Sequence, residues 1–242
     1  MITLYFDCFF GVSGEKILGA LIDCVGSFDL EDALESVSKG CAEICCNKTI
    51  SGGIPGVRAE IVCNDNDMVF DDEETDCRYK KIYDLSKDIL FMTEGFQKKE
   101  FYTLFSVLYI LSKTEYDSVL TSSVYDGIGD GTEGNIPDKE IISYMQRCAI
   151  DMILTDTPLF VSTKSGAVII SAITEGCTSI PDGDIIKIGY GLGCDKDDIS
   201  DALRLVILSQ RERDAMDLFE ASLDFGSECS VSGAYSNKGK ID

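Results

Sequence analysis

The chain has 242 residues, 45% of them hydrophobic, which is enough to bury the core of one large domain or two modest ones and excludes disorder over its whole length. Against 21 Lys and Arg stand 43 Asp and Glu, and the resulting −22 charge repels nucleic-acid phosphates and anionic membranes within a Debye length of about 8 Å. Histidine and tryptophan are both absent, so no mechanism based on an imidazole base or ligand is available.

Residues 2–6 are predicted as a short apolar strand, followed by a glycine-punctuated turn from Asp7 to Gly14. Ile17, Leu18, Leu21, Ile22 and Val25 recur at helical spacing, with Ser13 as the expected N-cap. Leu30, Leu34 and Val37 predict a second helix stopped at Gly40, a C′ residue. Segments 42–50 and 57–63 flank a turn or bulge from Gly52 to Gly56, and the alternation of Val57, Ala59, Ile61 and Cys63 predicts a half-buried strand. Residues 64–77 form an acidic run, with six Asp and Glu inside 67–76, expected to stay open and solvated. Helices are predicted over 80–91 and 96–113, then a strand over 119–124 and a loop from Asp126 to Asn135. Pro137 opens a helix to Cys148, a shorter helix runs from Ser165 to Ile173, and 185–188 and 203–207 read as strands. The fold class expected from this order is α/β: mixed α+β layers with short sheets flanked by helices. The expected folded region is 1–209, with a second subdomain left open by a boundary near 64–77, and 210–242 is expected as a polar, partly disordered tail.

The eleven cysteines are odd in number and include no CxxC, and no basic signal region precedes Asp7. A reduced, cytoplasmic protein whose thiols act as small buried hydrophobes is the expectation, and no apolar run reaches the roughly 18 residues of a membrane span.

Three segments could carry chemistry. From Asp7 to Lys16, a strand end, Gly11, Gly14 and a helix start at Ser13 would aim backbone N–H groups at an anion; a plain strand-turn-helix is the alternative. Asp126, Asp130 and Glu133 alternate with glycines, a pattern suited to a hard cation or simply to a solvated loop. Gly189, Gly191 and Gly193 form a GxGxG, but Asp195, Asp197 and Asp198 follow with the wrong sign for phosphate, so a structural turn is preferred.

Several motifs in one order then match a known family. Asp7-Cys8-Phe9-Phe10-Gly11-Val12-Ser13-Gly14-Glu15 and Leu18-Gly19-Ala20-Leu21-Ile22-Asp23 resemble the DCFSGISGDM…LGALID opening of the LarC nickel insertion proteins, which serve the nickel-pincer cofactor of lactate racemase. Thr163-Lys164-Ser165-Gly166-Ala167 is similar to the family's TPTGAA, and 188–193 and Leu203-Arg204-Leu205-Val206 to its GYGAG and LRLVLG. Ser122 to Gly129 and Glu133-Gly134-Asn135-Ile136-Pro137 resemble its SPLPLGSG and HGxxPVP segments.

The resemblance implies nickel insertion into pyridinium-3,5-bisthiocarboxylic acid mononucleotide, a CTP-dependent reaction assisted by a divalent metal. It reaches residue 209 and corresponds to the N-terminal part of the longer family members, so CTP is expected only through a partner chain: a C-terminal nickel-insertion subunit or another pathway protein. Expected cofactors are nickel, with Mg²⁺ or Mn²⁺ as further candidates, and a homo-oligomer is left open. On this basis Asp7 and Ser13 are the candidate catalytic residues, Gly11, Ser13 and Gly14 the candidate cofactor-binding residues, and Asp7, Asp126, Asp130 and Glu133 the candidate metal ligands.

The departures concern metal ligands. The acidic run 64–77 stands where the family has a histidine-rich loop, Glu133 replaces the histidine of HGxxP, Phe10 the serine of DCFSG, and Glu15-Lys16 the Asp-Met pair. The family's FHEVGAVDSIVD segment is either deleted or replaced by residues 92–103, which would put Thr93 and Lys99 at its His and Asp. Carboxylates favour hard cations while thiolates still suit nickel. Three readings follow: a divergent nickel insertion subunit, a degenerate non-catalytic binding or scaffolding paralogue, and an acidic cation-binding module.

Overall fold

A computed structural model describes residues 1–64, 76–91, 97–129, 131, 136–193 and 201–209. In chain order the elements are β1 (Ile2–Asp7), α1 (Gly14–Val25), α2 (Leu30–Ser38), β2 (Ala42–Ser51), β3 (Ile54–Cys63), α3 (Lys80–Phe91), α4 (Lys98–Lys113), β4 (Ser118–Thr121) and β5 (Val124–Gly127). They continue as α5 (Lys139–Arg147), β6 (Met152–Thr155), α6 (Lys164–Ile173), β7 (Gly176–Cys177), β8 (Asp184–Leu192) and β9 (Ala202–Ser209). The α/β class expected from the sequence is the one observed: a seven-stranded mixed sheet in the order β2-β3-β8-β9-β1-β4-β7, a two-stranded β5-β6 sheet, and helices packed against them.

Alternation along β1 sets the layers. Leu4 and Phe6 join the large core with the buried side of α1, whereas Tyr5 clusters with Val206 and Leu208 of β9 on the opposite face. On α1, Ile17, Leu18 and Leu21 are fully buried, and the Ser13 hydroxyl caps the helix by accepting the Lys16 N–H at 3.2 Å. The core draws on both sides of the acidic run, with Ala59 and Ile61 before it and Tyr79, Tyr83 and Phe101 after it. Tyr83 and Phe101 meet edge to face with centroids 5.1 Å apart.

Several expectations need correction. Gly189 and Gly191 are not in a turn but inside β8, where a Cβ would collide with the Ala20–Cys24 backbone or with Lys16 and Ala20; these glycines let α1 lie directly on the sheet. The turn after β2 is only Gly52-Gly53, both with positive φ, so Pro55 and Gly56 already belong to β3. The strand expected over 119–124 divides at Ser122-Ser123 into β4 and β5, which belong to different sheets. Because β5 pairs in parallel with β6, an element without a sequence signal, Asp126 and Gly127 are strand rather than loop. Helix α5 begins just after Pro137, where Asp138 accepts the Glu140 N–H at 2.7 Å.

The cysteines divide by environment. Cys8 and Cys24 are buried, and burial pushes both thiols up to about 12, but Cys45, Cys46, Cys77 and Cys148 are exposed, so the small-hydrophobe reading holds for only part of the set. Among the described residues no helix is long and apolar enough to cross a membrane.

Candidate substrate cleft

Two helices start against each other. The Thr163 N–H donates to the Val12 carbonyl at 2.8 Å, the Val12 N–H donates to the Ser162 hydroxyl at 3.1 Å, and Gly166 lies so close to Val12 and Ser13 that no Cβ would fit. Ser13 caps α1, and Thr163 caps α6 by accepting the Gly166 N–H at 3.1 Å. The early N–H groups of a helix lack intrahelical partners and carry the positive end of its dipole. Both capping residues line a cleft of about 220 Å³, together with Glu15, Arg58, Glu60, Lys99, Gly193 and Asp201. A second hollow of about 640 Å³, bounded by Pro137, Lys139, Phe160 and Lys164, shares Val161 and Thr163 with it.

Although the chain as a whole is strongly acidic, charge is locally balanced here. The Lys99 ammonium lies 2.8 Å from Glu60 and 3.2 Å from Glu15. Burial opposes its charge, but the Glu60 hydrogen bond and Glu15 outweigh it and raise Lys99 above the usual lysine range. Arg58 donates through Nε to the Gly193 carbonyl at 3.0 Å. Beneath the cleft wall, Lys16 is fully buried, with Nζ 2.6 Å from Asp201 Oδ1 and 2.8 Å from the Phe10 carbonyl.

The residues singled out in the sequence are distributed unevenly around this cleft. Ser13 lines it. Gly11 has φ 61° and stands against Asp126, whose Oδ2 a Cβ would meet at 2.9 Å. Asp126 is buried; Oδ1 accepts the Gly127 and Val161 N–H groups at 2.8 and 2.9 Å, and Oδ2 accepts the Ser162 N–H at 2.8 Å. Its carboxylate thus clamps the end of β5 to the segment that enters α6. Gly14 packs against Thr103 and Ile169, between α4 and α6. Asp7 shares the sheet face of Tyr5 and pairs with Arg204, whose Nε lies 3.1 Å from Asp7 Oδ2 and whose guanidinium sits over the Phe9 ring. Asp130, Glu133 and positions 65–75 of the acidic run lie outside the described residues. Among the described residues no three His, Cys, Asp or Glu side chains are grouped to hold a metal ion.

Sequence reasoning did not reach Arg58, Lys99, Thr163 or Asp201 as cleft residues. Arg58 looks like the solvent side of an alternating strand, and Asp201 merges with the acidic stretch before it. One signal was available, because Lys16 falls among the apolar positions of α1, where an ammonium requires a buried partner.

The fold and the cleft define a mixed α/β protein with a charge-balanced cavity at the start of two helices. The chain belongs to the nickel insertion protein family, whose model matches residues 4–108 and 102–230, as the motif resemblance implied. It is 23% identical to the pyridinium-3,5-bisthiocarboxylic acid mononucleotide nickel insertion protein of Acetivibrio thermocellus, across 93% of this chain and 65% of that relative. The chain therefore spans just under two thirds of that relative's length. A stretch of 61 residues, 25% of the chain and 15% of the relative, is 36% identical to a putative nickel insertion protein of Roseiflexus castenholzii. No solved structure matches the chain.

Proposed function

We propose that this chain takes part in nickel insertion into pyridinium-3,5-bisthiocarboxylic acid mononucleotide and that the cleft between the α1 and α6 N-termini receives the mononucleotide. The observation that carries this reading is the convergence of two capped helix starts with Arg58 and Lys99 on one cavity. A nucleotide phosphate is stabilised by helix-terminal N–H groups and by basic side chains. In an otherwise acidic protein, Lys99 is held charged at the cleft by Glu60 and Glu15.

The absence of histidine weighs little against nickel insertion, because the substrate brings its own nickel donors. The two thiocarboxylate groups in its name are soft donors suited to nickel, so the metal arrives as cargo for the substrate's own sulfur atoms. On this reading the chain binds and orients the mononucleotide, and CTP with Mg²⁺ or Mn²⁺ acts through a partner chain. The Gly11–Asp126 contact supports the site indirectly, by holding the Val161–Ser162 segment against the β1–α1 turn.

Calorimetric titration of the purified chain with the bisthiocarboxylic acid mononucleotide, followed by measurement of sulfur-ligated nickel after Ni²⁺ is added, tests the reading. Saturable binding that an Arg58→Gln, Lys99→Gln double variant weakens at least about tenfold supports it. Wild-type affinity in the double variant overturns the assignment of the cleft. Binding with no nickel incorporation, even when the family's C-terminal part is supplied, favours the non-catalytic binding subunit.

A further inference from the structure

The Lys16–Asp201 pair joins a fully buried ammonium on α1 to a carboxylate at the cleft wall. Residues 185 positions apart meet at 2.6 Å, the lysine fully buried and the aspartate 14% exposed at the cleft wall. Two further contacts fix the arrangement. Lys16 Nζ also donates to the Phe10 carbonyl at 2.8 Å, so the ammonium is anchored on the β1–α1 turn. The Asp201 carboxylate rests on Gly193, where a Cβ would collide with it, while the Gly193 N–H donates to the Asp201 carbonyl at 2.7 Å and Arg58 holds the Gly193 carbonyl. The ammonium lies below the wall and the carboxylate at its surface, so the negative end of the pair faces the cavity.

A carboxylate held at the wall of an anion-binding cleft works against the anion unless the ligand also brings a cation. The pyridinium bisthiocarboxylic acid mononucleotide brings such a cation: its positive ring nitrogen, joined to the ribose, stands between the phosphate on one side and the thiocarboxylates at ring positions 3 and 5 on the other. We infer that Asp201 recognises the pyridinium cation of the substrate, with Lys16 and Gly193 as positioning residues that hold its carboxylate at the cleft wall. This inference rests on the reading of the cleft as the mononucleotide site. Arg58, Lys99 and the helix starts take the phosphate, and Asp201 distinguishes a cationic ring from a neutral one.

The test uses the full chain and three probes: nicotinic acid mononucleotide, which has a cationic ring; its dihydropyridine form, whose ring is neutral; and ribose 5-phosphate, which has no ring. Wild-type protein is expected to prefer the cationic mononucleotide over the dihydropyridine by about tenfold. Asp201→Asn should remove that preference and leave ribose 5-phosphate affinity unchanged. Should Asp201→Asn not fold, because it leaves the buried Lys16 ammonium unpaired, the Lys16→Met, Asp201→Asn double variant takes its place in the same three-probe comparison. Equal affinity for both ring forms, or an equal loss for all three probes in Asp201→Asn, overturns the role of Asp201 while the cleft assignment stands. Failure of every probe to bind the wild-type chain overturns both.

Discussion

Asp7 and Arg204 face each other across the antiparallel β1–β9 ladder, and the guanidinium donates to Asp7 Oδ2 through both Nε and Nη2. Arg204 is thereby held charged: burial works against it, but the Asp7 hydrogen bond more than compensates. The residue that stands first in the family-like opening motif is thus engaged on the sheet face away from α1, while Ser13, six positions on, lines the cleft.

The first prediction concerns that pair. With 17% and 38% exposure for Asp7 and Arg204, Asp7→Asn is expected to cost about 1 kcal/mol in urea unfolding and to leave mononucleotide affinity unchanged. Loss of affinity at unchanged stability would instead make Asp7 a functional carboxylate of the proposed mononucleotide site.

Removal of Lys16 should be far more damaging. Lys16→Met leaves Asp201 without its ammonium partner at a position only 14% exposed, and an expected loss of about 3 kcal/mol follows in chemical denaturation. A double-mutant cycle with Asp201→Asn should recover a large part of that loss, because the double variant leaves no unpaired charge. Purely additive losses would show that the two side chains are not coupled.

Close packing of α1 on β8 makes a steric prediction. A methyl group at Gly191 would collide with the backbone of Lys16 and Ala20, so Gly191→Ala should force α1 off the sheet and destabilise the fold by about 2 kcal/mol or more. Gly176, with nothing near its missing Cβ, is the control, and Gly176→Ala should leave the thermal midpoint nearly unchanged. Similar midpoints for the two variants would contradict the packing described.

Acid stability follows from two carboxylates. The Tyr109 hydroxyl donates to Asp29 at 2.7 Å and lowers its pKa, and the Arg78 hydrogen bonds lower Asp76 to about 2. Both titrate below their unfolded value near 3.9, so their contribution is complete above that value and is lost as the pH falls through the folded pKa, for Asp76 near 2. Urea midpoints should therefore drop between about pH 5 and pH 2, and Asp76→Asn should flatten the lower part of that curve. A variant curve parallel to wild type would show that Asp76 makes no such contribution.

How much of this was legible beforehand depended on range. Local patterns identified β1, α1, α2, α4 and α6 because helix periodicity, the Ser13 cap and the Gly40 stop each act within a few residues. The β5–β6 pair escaped notice because each strand is four residues long and only pairing across the sheet makes it a strand. Gly189 and Gly191 look like a turn in the sequence, whereas their reason to be glycine is a helix packed on them from residues 16–24, a contact with no local signature.

The sequence by itself determined the family, the α/β class and the exclusion of imidazole chemistry, since motif order and composition are properties of the chain alone. Tertiary structure alone decided which charges share the cleft. Arg58 reaches Gly193 across 135 positions and Lys16 reaches Asp201 across 185, and such pairings are set by sheet order and helix packing rather than by spacing along the chain.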